Sequence, residues 1–452
     1  MMKKIKILSF RVSTLTLLIT ILVCGIGSAA AAEQKAVKTA SATADACTLP
    51  ASPASTQEET AWRLFVAINC KIGAGDLAWE TWTTQACLNN PVDCQEGGRL
   101  RTSALRDALA PGDDPRRTGG CSAMTTNSPN TDPSLIPFVP ANLSASPVFC
   151  EEVTINPSEE AYARSNGLLT QTGQVDYLQA GNTIDFPADA VEVKADWVPA
   201  SSYTNVTFDC SKPNSKVYME MIDGTCYALA GIHISSKLYP NWLWATFEPQ
   251  YSITNPNRCN PKLYSSCTDT WGSNPATSTG SDTKATAALT ALFDSAGVAL
   301  DPSFRNYRLT GTQTVYNQPT TSAGVLGSSF VEFNADVPAQ QASCITCHNY
   351  AQRQPTPPPA GSTPLGGAPQ GDANVGTPSQ LPAAYKPLDF SWFLGFGVPK
   401  GGSCQDIDAG PIWSNPDAKG KCPAVCADVG RTWNGQWNTT QPGVMSVCGC
   451  CL

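Results

Sequence analysis

Histidine is nearly missing from this 452-residue chain, which has only two, His233 and His348. A catalytic zinc held by three histidines is therefore impossible, and any Ser-His-Asp or Cys-His site has two imidazoles at most to draw on. Charged residues make up only 15%, and 37 Asp+Glu outnumber 29 Lys+Arg. Nucleic acid and anionic membranes are poor partners for such a surface. Gly-x-Ser-x-Gly, phosphate-loop and dinucleotide fingerprints are lacking too, which disfavours the enzymes that depend on them. A glycosidase needs only two suitably spaced carboxylates and stays open. Beyond residue 32 no apolar run approaches the length of a membrane span.

The chain opens with Lys3, Lys4, Lys6 and Arg11, an apolar run from Leu15 to Ile26, and Ser28 followed by four alanines. Residues 1–32 thus read as a secretory signal, cleaved after Ala30 or Ala32. A lipoprotein reading of Cys24 is disfavoured, because Val23 is bulkier than the residue such a site usually has before it. Without the four leader cations, 25 Lys+Arg face 37 Asp+Glu, a net charge of −12. The expected product is secreted to the periplasm, cell surface or beyond, where thiols oxidise. One of the 19 cysteines leaves with the leader and two belong to the motif below, so 16 remain, enough for eight disulfides.

That motif is Cys344-Ile345-Thr346-Cys347-His348. Two thiols at this spacing can form thioethers to the two vinyl groups of one haem, and the adjacent imidazole then falls onto the iron. A covalent haem c is therefore expected on Cys344 and Cys347, with His348 as proximal ligand. The alternatives are a local disulfide, a thioredoxin-like pair or half of a zinc site. Zinc would need four N/S ligands, and thioredoxin chemistry a strand-to-helix turn that the flanks do not show. The far side of the iron could take His233, a methionine such as Met124, Met219 or Met221, or stay open. His233 lies opposite the Ile232/Ile234 face of its strand. Trp242 and Trp244 share a strand face and could line the porphyrin or an electron path, or simply pack.

Ala, Thr and Ser dominate residues 33–55, a flexible leader, and clustered Pro and Gly make 354–383 an exposed loop or linker. Helices are expected at 58–69, around 158–166 and around 284–295. Strands are expected at 191–197, 217–221, 226–235 and 242–247, with Asp223-Gly224 as a hairpin turn. The fold class is α+β: a large mixed domain with an antiparallel sheet and a c-type haem site, then a small disulfide-rich α+β module.

The runs Ala61–Asn69, Trp79–Trp82, Glu192–Trp197, Gly231–Ile234 and Trp242–Glu248 resemble a family of exported bacterial single-haem cytochrome c proteins. The likeness continues through Asn306–Leu309, Gly311–Gln313 and Ser343–His348 and closes at Asp389–Ser391. It defines a cytochrome c-like domain over residues 56–396 and implies no particular reaction.

Residues 397–452 carry Ala409–Asn415, Asp417-Ala418, Asn434–Trp437 and Met445–Val447 in an order that resembles one repeat of the mannan-binding lectin family. Its repeats are small α+β units that bind the mannose and N-acetylglucosamine core of oligomannosides, so the resemblance implies a glycan partner here. It implies Trp413, Ser414, Asn415, Gln436 and Trp437 as sugar contacts. Trp413 and Trp437 can stack on pyranose faces while Asn415, Gln436 and Thr439 hydrogen-bond hydroxyls. The plain alternative is that the tryptophans fill the little core. Cys422 and Cys426 share one face of an expected helix over 416–428, and Cys448 and Cys450 share one face of a strand, so two disulfides could rivet helix to sheet. Cys451 faces the other way and could meet Cys404.

The combined reading is a secreted single-haem electron-transfer protein, with an unidentified redox partner and a glycan-binding tail. Its rivals are a haem oxidoreductase acting on or near a bound polysaccharide, and a carbohydrate-binding adhesion protein without redox chemistry.

Overall fold

Nearly every residue of the three longest central strands is buried, so the sheet they form is covered on both faces. This computed structural model describes residues 46–72, 76–85, 150–212, 216–222, 225–250, 255, 258–262, 266–280, 282–316, 325–328, 342–355, 365, 378–379, 381–396, 398, 404–429 and 431–451. In chain order the elements are α1 (Gln57–Ile68), β1 (Thr83–Thr84), β2 (Cys150–Ile155), α2 (Pro157–Ser165), α3 (Gln171–Gln179), β3 (Val191–Pro199), β4 (Met219–Ile222), β5 (Thr225–Ser236) and β6 (Leu243–Pro249). There follow α4 (Ala287–Ala296), β7 (Tyr307–Gln313), α5 (Cys344–Asn349), α6 (Trp392–Phe396), β8 (Cys404–Gly410), α7 (Asn415–Asp428), β9 (Thr432–Gln441) and β10 (Met445–Cys451). The seven-stranded sheet runs β7-β6-β5-β3-β2-β1, with β4 pairing β5, and every pairing in it is antiparallel.

Strand alternation assigns the two faces different chemistry. Val193, Ala195, Ile232, Ile234, Leu243, Ala245 and Phe247 point to one side, where α1 and α4 cover them. There Phe247 meets Trp62 at 4.9 Å and stacks on Phe65 at 4.4 Å between ring centroids. Helix α1 starts where Thr56 accepts a hydrogen bond from Glu59 N at 3.1 Å, with Glu58 and Glu59 in its first turn facing the helix dipole. The opposite face is mixed. Lys194, His233 and Thr246 are cross-strand neighbours in one row, flanked by Trp242, Trp244 and Ile155, and α2, α5 and α6 contribute to the apolar cluster on that side.

The expected strands at 191–197, 226–235 and 242–247 appear as β3, β5 and β6, and 217–221 shifts to Met219–Ile222. The expected helices at 58–69 and 158–166 appear as α1 and α2. The helix expected at 284–295 begins instead at Ala287, because Thr286 caps it by accepting from Leu289 N, and residues 284–285 pair as a short strand with Ser273–Asn274. Strands β2 and β7 and helix α3 were not legible. Glu151 and Glu152 break the apolar pattern of β2, and Gly311 sits at a register shift in β7. Asp223-Gly224, the 1–32 leader, most of 33–55 and most of the 354–383 loop lie outside the described residues.

On the mixed face Glu159 is fully buried, near Glu192 and Asp389. Burial, then the neighbouring Glu192 carboxyl, raises its pKa well above the ordinary value of 4.5. The folded state therefore keeps a proton that the unfolded chain releases, and stability falls as pH rises from about the unfolded value through the native one. Glu159→Gln should flatten that slope, read as thermal midpoints at about pH 5 and about pH 8; an unchanged slope contradicts the assignment.

Candidate functional site

Helix α5 carries the Cys-x-x-Cys-His motif and is docked from two sides. Gln313, the last residue of β7, accepts from Ile345 N at 3.3 Å and donates through Nε2 to Ser343 Oγ at 3.4 Å. Ile345 is fully buried, while Cys344, Cys347 and His348, on the i, i+3, i+4 face, are half-buried. Trp392 Nε1 donates to Cys347 O at 3.2 Å.

The sulfur chemistry separates this motif from the rest of the chain. Five disulfides form among the described residues: Cys47–Cys70, Cys210–Cys226, Cys259–Cys267, Cys422–Cys448 and Cys426–Cys450. Cys344 and Cys347 form no disulfide, with each other or with another described cysteine.

His348 has one nitrogen committed and one available. Nδ1 donates to Phe390 O at 2.8 Å, which leaves the Nε2 lone pair for another partner. Burial lowers its pKa from 6.5 to about 4, so the imidazole is neutral at ordinary pH and can act as a ligand. Trp244 packs on the ring at 4.4 Å between centroids.

The carbonyl that holds His348 is itself clamped. Asp389 accepts from Lys237 Nζ at 2.7 and 2.8 Å, from Phe186 N at 2.7 Å and from Trp242 Nε1 at 3.3 Å. Trp242, Asp389 and Phe390 all have left-handed backbones, with φ of 60°, 50° and 68°. Such conformations cost on the order of 1–3 kcal/mol each and persist where surrounding contacts over-determine them. Their concentration around His348 marks this as a built site.

His233 lies on the same sheet face, and its Nε2 lies 3.0 Å from Ser328 Oγ. Burial, then the charge of Lys194, lowers its pKa well below 6.5, so it too is neutral. The methionine alternatives do not reach this place. Met219 and Met221 pair with Ala228 and Cys226 at the far end of β5, roughly 15 to 25 Å along the strand from His233. Met221 is also 55% exposed, and Met124 lies outside the described residues. Two thiols outside any disulfide and one turn apart, a neutral imidazole with Nε2 available and walls of Trp244 and Phe390 fit the donor set of a covalent haem.

The C-terminal module is a three-stranded sheet, β8-β10-β9, with α7 across it. Helix α7 contains Gly420 and Pro423, which propensity disfavours by about 1 and about 3 kcal/mol relative to alanine. Cys422–Cys448 and Cys426–Cys450 hold it to β10, and these four residues make up most of the module's core beside Ile412 and Ala418. Cys404 and Cys451 are register partners in β8 and β10, but their side chains lie outside the described ones.

The residues singled out for sugar contact divide. Trp413 is 72% exposed, lying over Gly443, where an added Cβ would come within 3.3 Å of its ring. Ser414 is the N-cap of α7 and accepts from Asp417 N at 3.3 Å. Asn415 Oδ1 accepts from Trp437 Nε1 at 2.9 Å, and Trp437 is half-buried against the disulfide core. Gln436 is exposed, and its carbonyl accepts from Trp433 Nε1 at 2.8 Å. Trp433, a supporting side chain that its spacing did not signal, thus holds the irregular stretch of β9 that presents Gln436.

Comparison with known proteins finds a likeness in the C-terminal module. The mannan-binding protein family matches residues 415–450. Lectin MVL from Microcystis viridis is 48% identical over 42 residues, which is 9% of this chain and 37% of the lectin. The chain thus spans little more than a third of that lectin's length, and the match does not extend into residues 56–396. No solved structure matches.

Replacing Cys422 and Cys448 together by alanine should lower the module's stability by about 3 kcal/mol on the chain-entropy account of disulfides. Hydrogen exchange of β10 amides in the intact protein reads this out, and wild-type protection would contradict it.

Proposed function

We propose that this protein is an exported single-haem c-type electron carrier whose C-terminal module binds a mannose- or N-acetylglucosamine-containing glycan. The haem reading rests above all on one arrangement: Cys344, Cys347 and His348 of Cys-x-x-Cys-His share one half-buried face of α5, and the His348 ring is fixed there by Phe390 O. Haem bound there supplies a one-electron iron couple. Cys344 and Cys347 would tether it, His348 offers Nε2 with its ring fixed by Phe390 O, and Trp244 and Phe390 would wall one side. His233, neutral on the same face, would be the second ligand once its Nε2 gives up Ser328 Oγ, and would then favour a closed iron and electron transfer over turnover. A haem oxidoreductase would keep that position open and bind carbon monoxide readily.

The glycan reading rests on the match of residues 415–450 to a mannan-binding family. Trp413 offers an exposed ring for a pyranose face, and Asn415 keeps its Nδ2 donors beside it while Oδ1 holds Trp437. The 1–32 leader supports export, and among the described residues no helix is long and apolar enough to cross a membrane.

Protein matured alongside a bacterial cytochrome assembly apparatus should carry the mass of one haem, and Cys344→Ala with Cys347→Ala should lose it. An intact mass of polypeptide alone defeats the redox reading. Separately, Trp413→Ala should weaken binding to an N-acetylglucosamine-based oligomannoside about tenfold by calorimetry, the value of one good aromatic contact. Equal affinity would remove Trp413 from the site, and no binding by the wild type would defeat the glycan reading.

A further inference from the structure

Aromatic side chains gather in two places, and their arrangements differ. Beneath α1 they form a knot in which Phe65 alone meets Trp62, Phe247, Phe304 and Tyr307. On the mixed face they form a file. From the His348 imidazole the ring centroids step 4.4 Å to Trp244, 6.3 Å to Trp242, 6.0 Å to Phe186 and 5.2 Å to Tyr162, whose hydroxyl lies 3.5 Å from that of Tyr177. A knot satisfies packing alone, whereas a file with one end on a candidate iron ligand and the other at half-buried tyrosines of α2 and α3 connects interior to surface.

Two details hold the file in place beyond what packing requires. Trp242 sits in the left-handed backbone region with its N–H on Asp389, the residue that clamps the turn carrying Phe390 O. Tyr162 OH accepts from Asp185 N at 3.1 Å, which fixes the outer end. Around that end Asp176 and Asp189 are exposed and Asp185 is exposed but paired with Lys237 at 2.9 Å, on a chain that is already anionic at −8.

We propose that electrons enter and leave the Cys-x-x-Cys-His site along Tyr162, Phe186, Trp242 and Trp244, and that the Tyr162/Tyr177 surface receives a cationic one-electron carrier. The proposal rests on the haem reading above. One electron moves per encounter: the carrier is oxidised by one electron, the ferric iron is reduced to ferrous, and no atom or proton is exchanged. The rings serve as a bridge and are not chemically altered.

The test is stopped-flow reduction of the ferric holoprotein by hexaammineruthenium(II), followed at the haem band. Tyr162→Leu and Phe186→Leu should each slow reduction several-fold with the haem content and reduction potential of the wild type. Tyr162→Phe, which keeps the ring, should retain the rate. The wild-type rate should also fall as salt rises, as expected for a cation meeting an acidic rim. Wild-type rates in both leucine variants, with haem and potential intact, overturn the path; Tyr162→Leu at the surface keeps that outcome accessible if Phe186→Leu fails to fold. A wild-type protein that never acquires haem overturns the underlying reading and this one with it.

Discussion

One backbone carbonyl determines what the motif histidine can do. Phe390 O holds His348 by Nδ1, so ring orientation and the free nitrogen are set before anything binds. That carbonyl is held in turn by Asp389, which gathers Lys237, Trp242 and the Phe186 amide, drawing α6's approach and the β5 and β6 ends to one point. Three left-handed residues are tolerated there because these contacts over-determine them. Loosening the Asp389 clamp would therefore be felt at His348, although Asp389 does not touch it.

The two parts of the chain use sulfur in opposite ways. In the C-terminal module disulfides replace an apolar core and hold a helix that Gly420 and Pro423 would otherwise weaken. On α5 the same residue type stays outside any disulfide, although two thiols three residues apart share a helix face in a chain rich in disulfides. Thioether formation is a bond that their spacing suits.

Much of this was legible in residue order, and what was not has identifiable causes. Strands β3, β5 and β6 announce themselves by β-rich runs, and α1 by its cap and apolar stripe. The Cys422/Cys426 and Cys448/Cys450 spacings foreshadow the two disulfides seen, though which cysteine meets which needed the fold. Strands β2 and β7 were hidden because their buried residues include Glu152, Arg308 and Gln313, held by hydrogen bonds that sequence does not display. The clamp on His348 was equally hidden, since Lys237, Trp242 and Asp389 converge across long stretches of chain. Trp413 and Trp437, alike in sequence, divide into an exposed ring and a packed one because only the second lies against the disulfide core.

The central claim is the covalent bond between the α5 thiols and a porphyrin, and the alkaline pyridine haemochrome spectrum tests it most directly. The account predicts the reduced absorption band of a haem whose two vinyl groups are both saturated by thioethers, retained after acid extraction. A colourless protein, or a band characteristic of free vinyl groups that is lost on extraction, would contradict it.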